Sequence, residues 1–131
     1  MAKLVHSMVR VMDEARSVAF YTNGFGLKVV DRLDFPDFTL VYLSNEGATF
    51  ELELTVNKGR TEPYALGNAY GHLALSVENV DTEHARFVAA GYQPKDIKNM
   101  SYNGKPLAKF FFVDDPDGYK IEVVERGGRW L

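Results

Sequence analysis

The feature that most constrains this chain is an order of elements that runs twice. Residues 4–12, "LVHSMVRVM", alternate as a strand requires, with Val5, Val9 and Val11 on one face and His6, Met8 and Arg10 on the other. Asp13 then offers an N-cap, Ala15, Val18, Ala19, Thr22 and Phe25 follow at helical spacing, and Gly24 and Gly26 end the helix. Strand patterns return at "LKVVDRLDF", "FTLVYL" and "TFELELTV", separated by Pro36 and the turn "SNEG". A polar stretch from Asn57 to Tyr70 reads as a linker, and the order begins again. "GHLALSV" is a strand, Asp81 caps a helix through "TEHARFVAAG", and strands follow at "YQPKDIK", "LAKFFFV" and "YKIEVVE", the last two joined by the tight turn "DDPDG". With 131 residues the chain makes one domain of ordinary size. The order predicts an α+β fold of two tandem βαβββ modules, about 4–57 and 70–126, stacked around a common core.

Laying the halves on each other brings out chemistry. His6 falls on His72, Asp13 lies near Asp81, Gly26 lies near Gly91, and "LEL" at 52–54 corresponds to "IEV" at 121–123. Each half therefore carries a histidine early in its first strand and a glutamate in its last. In "ELELTVNKG" the glutamates interrupt a strand pattern that ordinarily avoids them. Leu52, Leu54 and Val56 share one face, while Glu51, Glu53, Thr55 and Asn57 share the other. Parity leaves Glu51 and Glu53 equivalent; the repeat favours Glu53. A single strand histidine is ordinarily a satisfied packing group, but here four residues recur as two equivalent pairs. Two imidazoles and two carboxylates suit Ni, Co, Fe, Mn or Zn, and carboxylates set among apolar strand residues ask for a compensating cation. Four such ligands leave an octahedral ion two open positions, the arrangement of a catalytic rather than a structural centre.

Composition removes other classes. The chain has no cysteine, so disulfides, thiolate zinc sites and a cysteine nucleophile are excluded. A formal net charge of −3 without a basic run gives no footing for nucleic acid. The first residues alternate and carry His6 and Arg10, unlike an apolar leader or a membrane segment, so a cytoplasmic location is expected.

The segments "HSMVRV", "FYTNGFGLKVV", "ELTVNKG", "YGHLALSV" and "DPDGYKIEVVE" resemble, in order, the signature blocks of the glyoxalase I (lactoylglutathione lyase) family of the vicinal oxygen chelate superfamily, from about residue 4 to 126. The resemblance implies curved mixed sheets with the helices outside. It implies His6, Glu53, His72 and Glu122 as metal ligands, with Glu51 only a neighbour, and Ni or Co favoured over Zn because the chain is short. It also implies the isomerisation of the hemithioacetal of methylglyoxal and glutathione, or a related thiol, to a lactoyl thioester. Glu122 would be the main base, Glu53 could serve the opposite face of the substrate, and the proton transfer would pass through an enediolate. Arg10 and Asn57 match the family's contacts to the γ-glutamyl end of the thiol. A homodimer is implied, with His6 and Glu53 of one chain meeting His72 and Glu122 of the other.

The chain departs from the family pattern at Lys58, where many members carry tryptophan, and in the loop "IKNMSYNGKP". The group that grips the glycyl carboxylate is therefore not carried over, and Lys98 and Lys105 are its candidates. His84 is expected at the surface of the second helix, Asp115 and Asp117 in the turn before the last strand, and the "FFF" run at 110–112 partly in the core. Two rivals share the fold: a metal-free ligand-sequestering protein of the bleomycin-resistance type, and the ring-cleaving dioxygenases, which use two histidines and one carboxylate on iron.

Overall fold

The computed structural model describes all 131 residues. The chain divides into two compact units, Met1–Ala65 and Leu66–Leu131. In the first, β1 (His6–Arg10) leads into α1 (Glu14–Phe25) and then β2 (Lys28–Asp34), β3 (Phe38–Ser44) and β4 (Glu51–Asn57). In the second, β5 (Leu73–Val77) leads into α2 (Val80–Ala89), β6 (Lys98–Tyr102), β7 (Lys105–Asp114) and β8 (Lys120–Glu125). The sheets have the orders β1-β4-β3-β2 and β5-β8-β7-β6, so both are mixed. In each, the unit's first strand runs parallel to its last and every other pair is antiparallel. This is the α+β architecture of two βαβββ modules expected from the sequence.

The alternation of the strands decides which face is buried. In the first unit Val9, Val41, Leu43, Leu52 and Leu54 are buried together with Phe20 and Tyr21 of α1. In the second, Phe111, Val113, Ile121 and Val123 are buried with Val80 and Phe87 of α2, and the Phe87 and Phe111 rings meet at 6.0 Å. Each large side chain withdrawn from water in this way contributes roughly 1.5–3 kcal/mol. The opposite face of the first sheet carries His6, Glu51, Glu53, Thr55 and Asn57, and that of the second carries Glu122 beside Phe110, Phe112 and Val124.

Several local expectations shift. Asp13 does cap α1, accepting from Arg16 N at 2.9 Å. The cap of α2 is Asn79 rather than Asp81: its side chain accepts from Thr82 N at 2.9 Å, and Asp81 sits in the first turn, where an acid complements the helix dipole. The strand expected at "YQPKDIK" lies later, at Lys98–Tyr102, because Pro94 cannot donate to a ladder. The loop after it is a hairpin. Asn103 (φ 51°) and Gly104 (φ 74°) form a two-residue turn between the paired Tyr102 and Lys105, the conformation Asn-Gly adopts at least cost. His72 stands one residue ahead of β5, whereas His6 opens β1 itself.

Candidate metal centre

The first candidate pair, His6 and Glu53, is built by two neighbouring parallel strands. His6 lies beside Glu51 in the register, with Met8 beside Glu53. It is nevertheless Glu53 that meets His6, with Nε2 and Oε2 3.0 Å apart. Glu53 is only 8% exposed. A carboxylate so placed among Leu52 and Leu54 costs several kcal/mol unless partners compensate it. Besides His6, its partner is Tyr42, directly across on β3. The Tyr42 ring stands edge-on to the His6 imidazole at 5.9 Å. Burial first, and then a hydrogen bond to Glu53 and the charge of that carboxylate, push the Tyr42 phenol above its ordinary range. The hydroxyl therefore stays protonated as a donor.

The second pair repeats this register. Ala74 lies beside Glu122 as Met8 lies beside Glu53, so each histidine precedes its glutamate's neighbour by two residues. The His72 Nε2 and Glu122 Oε2 atoms are 3.7 Å apart, too far for a hydrogen bond. Phe112 is the residue across from Glu122, and its ring stands edge-on to His72 at 5.2 Å. The entry to β8 is tied down. Asp115 Oδ1 accepts from the backbone N–H groups of Asp117 and Tyr119 at 2.9 Å each, and the Tyr70 hydroxyl donates to the Lys120 carbonyl at 3.1 Å. The turn role expected of Asp115 is thus met by a buried carboxylate with two backbone donors.

The remaining candidates separate. Arg10 is exposed on the His6 face of β1, beside Thr55. Asn57 ends β4 and its Nδ2 donates to the Tyr64 hydroxyl at 2.8 Å, while the Arg60 guanidinium covers the Tyr64 ring at 4.1 Å. Lys58 is taken up locally: Nζ lies 2.7 Å from Asp34 Oδ1 and donates to the Phe35 carbonyl at 2.6 Å. Lys98 pairs with Phe110, which places it on the Phe112 and Glu122 face of the second sheet. Lys105 sits at the tip of the hairpin. His84 is not a surface group. It is half-buried, its ring stands edge-on to Phe111 at 5.0 Å, and its Nε2–H donates to the Lys95 carbonyl at 2.9 Å.

Neither pair gathers a third histidine or carboxylate around it. By type, the imidazole nitrogen and the carboxylate of each unit are donors that suit a divalent first-row cation, and the buried Glu53 would gain from one. The sequence did not single out Tyr42. The alternation of "FTLVYL" puts Leu40 and Tyr42 on one face, but only the pairing of β3 with β4 shows which residue Tyr42 meets.

The sequence model of the Glyoxalase/Bleomycin resistance protein/Dioxygenase superfamily matches residues 3–123. A lactoylglutathione lyase of Salmonella typhimurium is 40% identical over 127 residues, covering 94% of this chain and 92% of that protein. Among solved structures, the trypanothione-dependent glyoxalase I of Leishmania major is 37% identical with a TM-score of 0.77, covering 95% of this chain and 87% of that one. Glyoxalase I of Zea mays is 28% identical with a TM-score of 0.82, covering 96% of this chain and 45% of its own.

Proposed function

The chain belongs to the Glyoxalase/Bleomycin resistance protein/Dioxygenase superfamily, and from that premise we propose that it acts as a glyoxalase I. The substrate is the hemithioacetal formed from methylglyoxal and a thiol, and the product is the lactoyl thioester. One observation carries the reading: the same histidine and glutamate occupy the same strand register in both units. A repeated pair of N and O donors is what a four-ligand catalytic centre needs, and a metal-free binding protein has no use for it.

His6, Glu53, His72 and Glu122 would hold one divalent ion, Ni or Co by preference and Zn as the alternative. When bound, the ion draws on the substrate oxygens and lowers the cost of the negative charge that proton removal creates. The chain's own carboxylates move the proton. Glu122 takes it from the carbon that bears sulfur and hydroxyl and returns it to the neighbouring ketone carbon, while the hydroxyl proton passes to the former ketone oxygen; a hemithioacetal carbon and a ketone thereby become a thioester and a hydroxyl-bearing carbon with no net gain or loss of atoms. Glu53 faces the substrate from the other pair. Because each unit offers two ligands, the proposal includes a twofold dimer in which His6 and Glu53 of one chain meet His72 and Glu122 of the other. The cytoplasm remains the expected location.

For the thiol, Arg10 offers a guanidinium to a carboxylate, and Asn57, its amide nitrogen held by Tyr64, offers its carbonyl oxygen to an ammonium group. Lys98, on the Glu122 face, is the better placed of the two lysines for a second carboxylate. The relatives divide between glutathione and trypanothione by name, so the test covers both. Metal-stripped protein is reloaded with Ni, Co or Zn, and thioester formation from methylglyoxal is followed with each thiol. Turnover with at least one metal and thiol supports the reading; no turnover with any combination overturns it.

A further inference from the structure

The two glutamates occupy equivalent positions, yet the residues across from them differ by one oxygen atom. Tyr42 faces Glu53 and Phe112 faces Glu122. Both rings meet the histidine of their pair edge-on, at 5.9 and 5.2 Å. The aromatic packing is thus the same in both units, and the hydroxyl is the difference. We propose that Tyr42 is a positioning residue whose hydroxyl fixes Glu53 as a stationary metal ligand, while the unsubstituted Phe112 leaves Glu122 free to swing and carry the proton.

The two pairs differ in the direction this requires. Glu53 is buried and lies 3.0 Å from His6. Glu122 is less enclosed and lies 3.7 Å from His72. A carboxylate that accepts from a hydroxyl on the neighbouring strand, as Glu53 does from Tyr42, has one preferred orientation, which suits a ligand. A carboxylate without one keeps its rotamer freedom, which suits a group that must reach a substrate carbon and withdraw. The division of labour between two identical side chains therefore lies in their cross-strand neighbours. The part of the inference that concerns Glu122 rests on the glyoxalase reading above. The part that concerns Glu53 does not, since it is read from metal affinity alone.

The test exchanges the oxygen atom in the full-length protein. Tyr42→Phe, Phe112→Tyr and the wild type are compared for metal affinity by competition with a coloured chelator, for kcat and KM at saturating metal, and for the melting midpoint of the metal-free form. Tyr42→Phe is expected to bind metal about tenfold more weakly, with turnover recovering as metal is raised. Phe112→Tyr is expected to bind metal at least as well as the wild type while kcat falls roughly tenfold and KM moves little. Phe112→Tyr keeps the wild-type melting midpoint, because the ring that packs is retained, whereas Tyr42→Phe withdraws a donor from the buried Glu53 and lowers the midpoint of the metal-free form, so metal affinities are compared well below that midpoint, where every variant is folded. Unchanged metal affinity in Tyr42→Phe, or unchanged kcat in Phe112→Tyr, overturns the proposal. A wild type that turns nothing over removes the glyoxalase reading, and the metal affinity of Tyr42→Phe still decides the role of Tyr42.

Discussion

The first and second units share their architecture and their histidine and glutamate, but they differ in nearly everything that surrounds that pair. Beside Glu53 the first unit sets Glu51 and Thr55 on one face of β4, and Tyr42 across from it. At the equivalent places the second unit has Lys120, Val124 and Phe112. The cores differ as well. Where β7 contributes the fully buried Phe111, β3 contributes Val41 at the matching position, and α1 fills the first core with Phe20 and Tyr21 instead. The two units thus share the register of histidine and glutamate but differ in packing and polarity around it. Equal side chains in unequal surroundings can do unequal work.

The largest expected break in this near-symmetry is catalytic. Glu122→Gln should lower kcat by about two to four orders of magnitude while the protein still takes up metal. Glu53→Gln should instead lose most of its metal. Steady-state rates and metal content after gel filtration distinguish the two. Equal behaviour of both variants would mean that the surroundings do not assign the roles. Next in size is the difference between the cores. Phe111→Ala should cost about 3–5 kcal/mol of unfolding free energy, and Val41→Ala about 2 kcal/mol, as read from denaturant melts of the metal-free protein.

A smaller effect concerns the charge next to the ligand. Glu51→Gln should change metal affinity by less than about threefold, the scale of a partly exposed charge interaction. A loss as large as that of Glu53→Gln would reverse the roles of the two glutamates. The smallest effect is at Lys58. Its ammonium first, and then the Thr39 hydroxyl, hold the Asp34 carboxyl below its ordinary value of 3.8. A depressed carboxyl stabilises the fold fully above its ordinary value, and that contribution fades as the pH falls through the depressed one. Lys58→Trp, which restores the residue common in the family, should therefore flatten the pH dependence of the melting midpoint below about pH 4. The midpoint at neutral pH should shift only slightly, because the pair is exposed.

The sequence carried the repeat, the helix start at Asp13, the second helix start to within two residues of its cap at Asn79, and a histidine and a glutamate for each unit, because strand alternation and helical spacing are written in residue order. It also showed that one face of β4 is polar. Strand parity alone did not separate the two glutamates on that face; the repeat and the resemblance pointed to Glu53, and it is Glu53 that lies 3.0 Å from His6. The choice of Asn79 over Asp81 as cap rested on two residues of register that either side chain satisfies on paper. The second strand of the second unit was expected too early because apolar alternation is weak on both sides of Pro94, while the Asn103–Gly104 turn that fixes its register was in plain view. Tyr42 was beyond sequence reading altogether, since its meaning comes from a residue eleven positions away on the neighbouring strand.

At the centre stands the proposal that each unit holds half of a metal site and that the halves meet between two chains. The direct measurement is complementation between His6→Ala and His72→Ala proteins, each inactive alone, mixed under conditions that allow the dimers to exchange. In a mixed dimer one site loses both histidines and the other keeps both, so metal binding and turnover should return to about a quarter of the wild-type value, half of the dimers having one of their two sites intact. If the four ligands come from a single chain, every site in the mixture lacks a histidine, and the activity stays at the level of the separate variants.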